Sequence, residues 1–167
     1  MQKLFITMAC LLCNIVIYAH TFEKDGIYYS IYNSEEKTVT VTYRGNSDGE
    51  YDNEYSGIVR IPENVTYDAT TYRVVRVSSA FLNCTELEKV ILPNSVTMVG
   101  QNSFSGCTNL EYVSMSNSVI SIDKKAFYNC PALTSISLPN TLTSIGESAF
   151  AGCTSLTTID IPENVSA

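Results

Sequence analysis

Phe81, Phe104, Phe127 and Phe150 stand 23 residues apart, and a cysteine follows each by three: Cys84, Cys107, Cys130 and Cys153. Leu87, Leu110, Leu133 and Leu156 come next, then Val90, Val113, Ile136 and Ile159, then Leu92, Met115, Leu138 and Ile161. A second apolar pair closes each unit: Val96 and Val99, Val119 and Ile122, Leu142 and Ile145. No insertion breaks this order between Phe81 and Ile161. A fixed period of this length marks stacked coils, in which one unit cannot cover its own apolar faces and each neighbour must do so. The expected fold class is a β-rich α/β solenoid of 23-residue coils with parallel stacked strands. One strand per coil is expected over 88–92, 111–115, 134–138 and 157–161, and a second over 96–99, 119–122 and 142–145. The segment 79–85 and its repeats are expected to form short helical turns.

The repeat cysteines follow from the same register. Equivalent residues in adjacent coils lie about 5 Å apart with parallel side-chain directions. That distance suits a disulfide but the parallel orientation opposes one. Four buried free thiols packed as small apolar groups are expected.

Three segments carry a more specific signature. They are the L-x-x-I-x-L-P core (Leu133, Ile136, Leu138, Pro139), the L-x-x-I-G segment (Leu142, Ile145, Gly146) and the A-F-x-x-C turn (Ala149, Phe150, Cys153). The unit resembles the leucine-rich repeat of the BspA-like, treponemal kind, over residues 74–165. Two departures, Ser116 for Pro and Asp123 for Gly, fall in the coil that begins at Phe104, where a bend is expected. The resemblance implies a secreted or cell-surface protein, non-catalytic, that mediates adhesion. It implies a protein or glycan on host or neighbouring cells as partner. The alternative is a structural spacer or truncated array with no ligand of its own.

The flanks are irregular. Residues 1–19 join Lys3 to an apolar run ending at Ala19, which reads as a signal peptide. The run is short for a membrane span. Residues 20–57 form an N-terminal β-hairpin cap and loop: a β-branched and aromatic run over 26–32, a polar turn, and strict alternation over 38–43. Ile58-Val59-Arg60-Ile61-Pro62 matches the repeat core, so the solenoid is assigned to 58–167, with about four regular coils and an excursion at 66–72. The sequence stops at Ala167, mid-unit, with no C-terminal cap in sight. A fragment of a longer array is expected there, or an end that self-associates through the C-terminal coil by its open strand edge.

Catalytic sets are missing. His20 is the only histidine, so a Ser-His-Asp or Cys-His arrangement has no base. No phosphate-cradling glycine motif occurs, and no metal site or cofactor is expected. The acidic run at 48–54 lacks the order and closing glutamate of an EF-hand loop. Net charge of −7 disfavours nucleic acid as a partner. Three N-x-[ST] triplets, at Asn64, Asn83 and Asn164, read as turn chemistry rather than glycan acceptors.

Binding is what an outer surface of stacked strands offers. The candidate strip alternates with the core positions of the first strand: Lys89 and Ile91, Tyr112 and Ser114, Ser135 and Ser137, Thr158 and Asp160. A second candidate is the N-terminal cluster Tyr28, Tyr29, Tyr32, Tyr43, Tyr51, Tyr55, Tyr67 and Tyr72, since Tyr is enriched at interfaces. The competing reading is that these rings pack the cap onto the first coil.

Overall fold

A computed structural model describes residues 20–45 and 52–166. Residues 1–19, read above as a signal peptide, Asp48, Glu50 and Tyr51 of the acidic loop, and Ala167 lie outside the described residues. The strands in chain order are β1 (Phe22–Lys24), β2 (Ile27–Asn33), β3 (Thr38–Thr42), β4 (Gly57–Arg60), β5 (Asn64–Tyr67), β6 (Thr70–Val77), β7 (Leu87–Ile91), β8 (Met98–Val99), β9 (Tyr112–Ser114), β10 (Ser121–Ile122) and β11 (Ser144–Ile145). They form two sheets. One runs β1-β2-β3-β6-β8-β10-β11, with β5 also paired to β6, and the other is β4-β7-β9.

The hairpin read from residues 26–43 is present: β2 pairs antiparallel with β3, and β1 extends it. Strand β3 then pairs parallel with β6, matching Val39 to Val74 and Val41 to Val77. The hairpin therefore continues the ladder of the coils instead of resting on it. The excursion at 66–72 is a second hairpin, β5 with β6, turning at Asp68 and Ala69 with φ of 46° and 60°. Beyond it, Arg76 and Val77 pair with Met98 and Val99, which pair with Ser121 and Ile122, which pair with Ser144 and Ile145.

The inward faces make continuous columns. Val59, Val90 and Val113 align across β4, β7 and β9. Phe81, Phe104 and Phe127 are fully buried, with successive ring centroids 5.1 and 5.0 Å apart, and Phe150 adds a fourth ring 5.2 Å beyond. The rings are within 12° of parallel, a spacing that fits offset stacking. Tyr55 meets the hairpin end of the column edge-on, 4.8 Å from Phe81. Its hydroxyl donates to the Thr42 carbonyl at 3.3 Å and accepts from the Tyr28 N–H at 3.2 Å. Sealing the column with a ring whose polar atom finds partners in the hairpin avoids a buried, unpaired hydroxyl.

The expected helical turns are absent among the described residues. Each Phe is bracketed by two residues with positive φ: Ser79 and Asn83, Asn102 and Gly106, Lys125 and Asn129, Ser148 and Gly152. Left-handed residues at both ends of so short a span prevent a right-handed helix from propagating. The N–H groups there also point to the next coil, as in Phe81 N–H to Ser103 O at 2.9 Å and Phe104 N–H to Ala126 O at 2.8 Å. The Phe+2 positions alternate Asn, Gly, Asn, Gly, and a Cβ at Gly106 or Gly152 would run into the side-chain oxygen of Asn83 or Asn129 below it. The sequence shows that alternation; the structure supplies its cause.

Two further expectations change. Residues 134–138 and 157–161 form no strand. Ile161, placed inward by the period, is 57% exposed, whereas its equivalent Leu92 is buried and Met115 and Leu138 are half-buried. Parallel pairing continues on both sides of Ser116 and Asp123, from β8 to β10 to β11. Ser116 is buried and its hydroxyl donates to the Val96 carbonyl at 2.9 Å, replacing a ring with a hydrogen bond.

Candidate functional site

The four repeat cysteines are buried and free. Three of them repeat one contact: the thiol of Cys107, Cys130 or Cys153 donates to the Phe81, Phe104 or Phe127 carbonyl of the preceding coil at 2.8, 3.0 and 3.0 Å. Burial pushes the Cys84 thiol up to about 11 and raises Cys107 well above the ordinary thiol range. The thiolate is the reactive form, so these side chains are structural. In the folded protein at pH 8, Cys84 and Cys107 are expected to resist iodoacetamide, and denaturant is expected to expose them fully. Mass spectrometry of the alkylated peptides reads this directly, and rapid native labelling of Cys107 would contradict the packing.

The outer face of the β4-β7-β9 sheet carries the candidate strip. The register sets Ile58, Lys89 and Tyr112 in one row and Arg60, Ile91 and Ser114 in the next. Alternation across a strand sends these side chains opposite to the Val59-Val90-Val113 column. Ile58 is 56% exposed and Tyr112 45% exposed, both large for solvent-facing groups. Lys89 reaches Glu111 at 3.8 Å, a loose surface pair of small energetic weight. Ser135, Ser137, Thr158 and Asp160 are also exposed, but they lie outside any assigned strand. The structure thus brings together the first two coils' members of the strip in strict register.

Ile58 and Arg60 were not among the sequence candidates. The signal was available, because Val59-x-Ile61-Pro62 had already been matched to the repeat core and fixes Ile58 and Arg60 as outward neighbours. The tyrosine cluster divides. Tyr29 and Tyr55 are buried, and Tyr67 stacks on Phe22 at 4.2 Å with Tyr72 nearby, so these rings pack the hairpins together. Tyr28 is half-buried and meets Tyr55 edge-on. Tyr32 alone among the described members of the cluster is a strongly exposed ring, at 57%.

Among the described residues, no helix is long and apolar enough to cross a membrane. No curated protein matches the chain. Solved structures do. A leucine-rich repeat protein from Bacteroides ovatus is 34% identical with a TM-score of 0.72, covering 87% of this chain and 36% of that one. The leucine-rich repeat protein of T. pallidum is 29% identical with a TM-score of 0.70, covering 87% of this chain and 62% of that one. One from Bacteroides capillosus is 25% identical with a TM-score of 0.62, covering 74% and 86%. The chain therefore spans less than two thirds of the length of the first two. The family model for the BspA type leucine-rich repeat region matches residues 77–167 in six copies, more than half of the chain. Periodic columns, parallel coil-to-coil pairing and that match agree, and the chain belongs to the BspA-type leucine-rich repeat family.

Proposed function

We propose that this protein is a secreted or cell-surface solenoid that binds a protein partner, without catalysis, through the outer face of β4, β7 and β9. Leucine-rich repeat proteins of this family typically serve protein–protein interaction. The observation that carries the reading is the row of Ile58, Lys89 and Tyr112: one apolar, one cationic and one aromatic side chain, aligned in register and facing solvent. An aromatic anchor beside aliphatic and charged neighbours is the composition of an interface centre. Adhesion to host matrix or to neighbouring cells is the role we infer for it.

A spacer would show near-identical outward residues from coil to coil. Lys89, Tyr112, Ser135 and Thr158 differ at the equivalent position, which supports binding. The test is surface-plasmon binding of the purified chain to a panel of host matrix proteins, beside a Lys89→Ala, Tyr112→Ala double variant. At least one matrix protein is expected to bind wild type, and the variant to bind it at least about tenfold more weakly. Equal binding, or equal lack of binding, removes this strip as an adhesive surface.

A further inference from the structure

The outer face of the larger sheet carries a separate constellation where the N-terminal hairpin meets the first coil. Register places Ser30, Thr40 and Arg76 side by side across β2, β3 and β6. Tyr32 stands at a register shift in β2, and its ring reaches the same side through its contact with Arg76. With Thr42, Tyr43 and Ser78 these residues line a shallow groove of about 380 Å³. Small-molecule sites commonly start near this volume.

Arg76 sits at its centre. Its guanidinium carbon is 5.8 Å from the Tyr32 ring centroid, and its Nη2 is 3.7 Å from Asp123 Oδ2. Its Nε is buried with no hydrogen-bond acceptor among the described residues, so Asp123 does not saturate the guanidinium. Asp123 occupies the position that the repeat elsewhere gives to Gly100 and Gly146. At Gly146 a Cβ would run into the backbone of Asp123 and Lys124, so glycine there relieves a close approach between coils. The coil beginning at Phe104 places a carboxylate at this position instead, and that carboxylate reaches Arg76 from two coils away.

We propose that this groove binds a neutral saccharide. A sugar hydroxyl donates one hydrogen bond and accepts others. Arg76, a donor lining the groove, and Asp123, the acceptor 3.7 Å from it, offer complementary partners to two adjacent hydroxyls. The Thr40, Thr42 and Ser78 hydroxyls can serve in either sense along the floor. The exposed Tyr32 ring, an apolar body with a wet polar tip, offers a platform for the C–H face of a pyranose ring. An acidic saccharide fits less well, because the Arg76 guanidinium is already paired with the Asp123 carboxylate and the chain carries a net charge of −7. A Tyr32–Arg76 contact that served only to hold the hairpin to the coils would require neither the groove nor a tyrosine left 57% exposed.

Isothermal titration calorimetry with neutral tetrasaccharides of glucose, mannose, galactose and N-acetylglucosamine tests this, with tetragalacturonate as the anionic comparison. Saturable binding of at least one neutral tetrasaccharide is expected. Tyr32→Ala and Asp123→Asn are each expected to weaken it at least about tenfold. Tyr112→Ala, on the other sheet, is expected to leave it unchanged, which separates this site from the adhesive strip. An unchanged thermal midpoint for Tyr32→Ala establishes that the variant is folded. Absence of binding to all the neutral sugars, binding that Tyr32→Ala leaves intact, or preference for tetragalacturonate would each overturn the proposal.

Discussion

Phe104→Ala is expected to destabilise the protein by about 3–5 kcal/mol, measured as a shift in the urea unfolding midpoint. Phe104 is fully buried between two parallel rings, Phe81 at 5.1 Å and Phe127 at 5.0 Å. Removing it loses the transfer free energy of the ring and leaves a void that the surroundings cannot close. The coils on either side are held at ladder spacing by Phe81 N–H to Ser103 O and Phe104 N–H to Ala126 O, so the neighbouring rings cannot slide together. Phe150→Ala in the same 167-residue chain is expected to cost less, about 1–2 kcal/mol, because Phe150 is half-buried and, among the described rings, stacks on Phe127 alone. A stack with nearest-neighbour coupling predicts this gradient. Equal losses at the two positions, or a loss under about 1 kcal/mol at Phe104, would show that the ring column is not a continuous core.

The second large effect separates two residues that are adjacent in sequence. Val113→Asp is expected to cost about 4 kcal/mol or more, enough to prevent the second coil from packing. Val113 is 1% exposed and sits beside Val90 in the inward column, where a carboxylate would find no cation and no water. Tyr112→Asp is expected to change stability by no more than about 0.5 kcal/mol. Tyr112 is 45% exposed and lies in register with Lys89, which can pair with the new carboxylate. Thermal unfolding followed by circular dichroism reads both. Comparable losses would mean that the strand presents no solvent face, and the proposed adhesive strip would go with it.

Much of this architecture is written in single residues. The 23-residue spacing of Phe81, Phe104, Phe127 and Phe150 places them in one column whatever the backbone does between them, because equivalent positions must stack when coils repeat. The same logic located the buried thiols and the outward alternation of Lys89, Tyr112 and Ser114. Period-2 alternation over 38–43 likewise marked a strand of the hairpin, although all five residues of β3 are buried. The candidate strip was legible in part. Its start at Ile58 and Arg60 required extending the register one coil earlier, to a unit interrupted by the β5–β6 excursion.

The primary sequence by itself determined which residues face inward, because periodicity is a property of spacing and survives any local detail. Only the tertiary structure decided what the turns became and where the larger sheet found its groove. Left-handed residues on both sides of each Phe direct backbone N–H groups across to the next coil, so the turn hydrogen bonds run between coils and no helix forms. Tyr32 and Asp123 both reach Arg76 although 91 residues separate them, because the antiparallel hairpin and the parallel coils convert distance along the chain into a few ladder steps across a sheet.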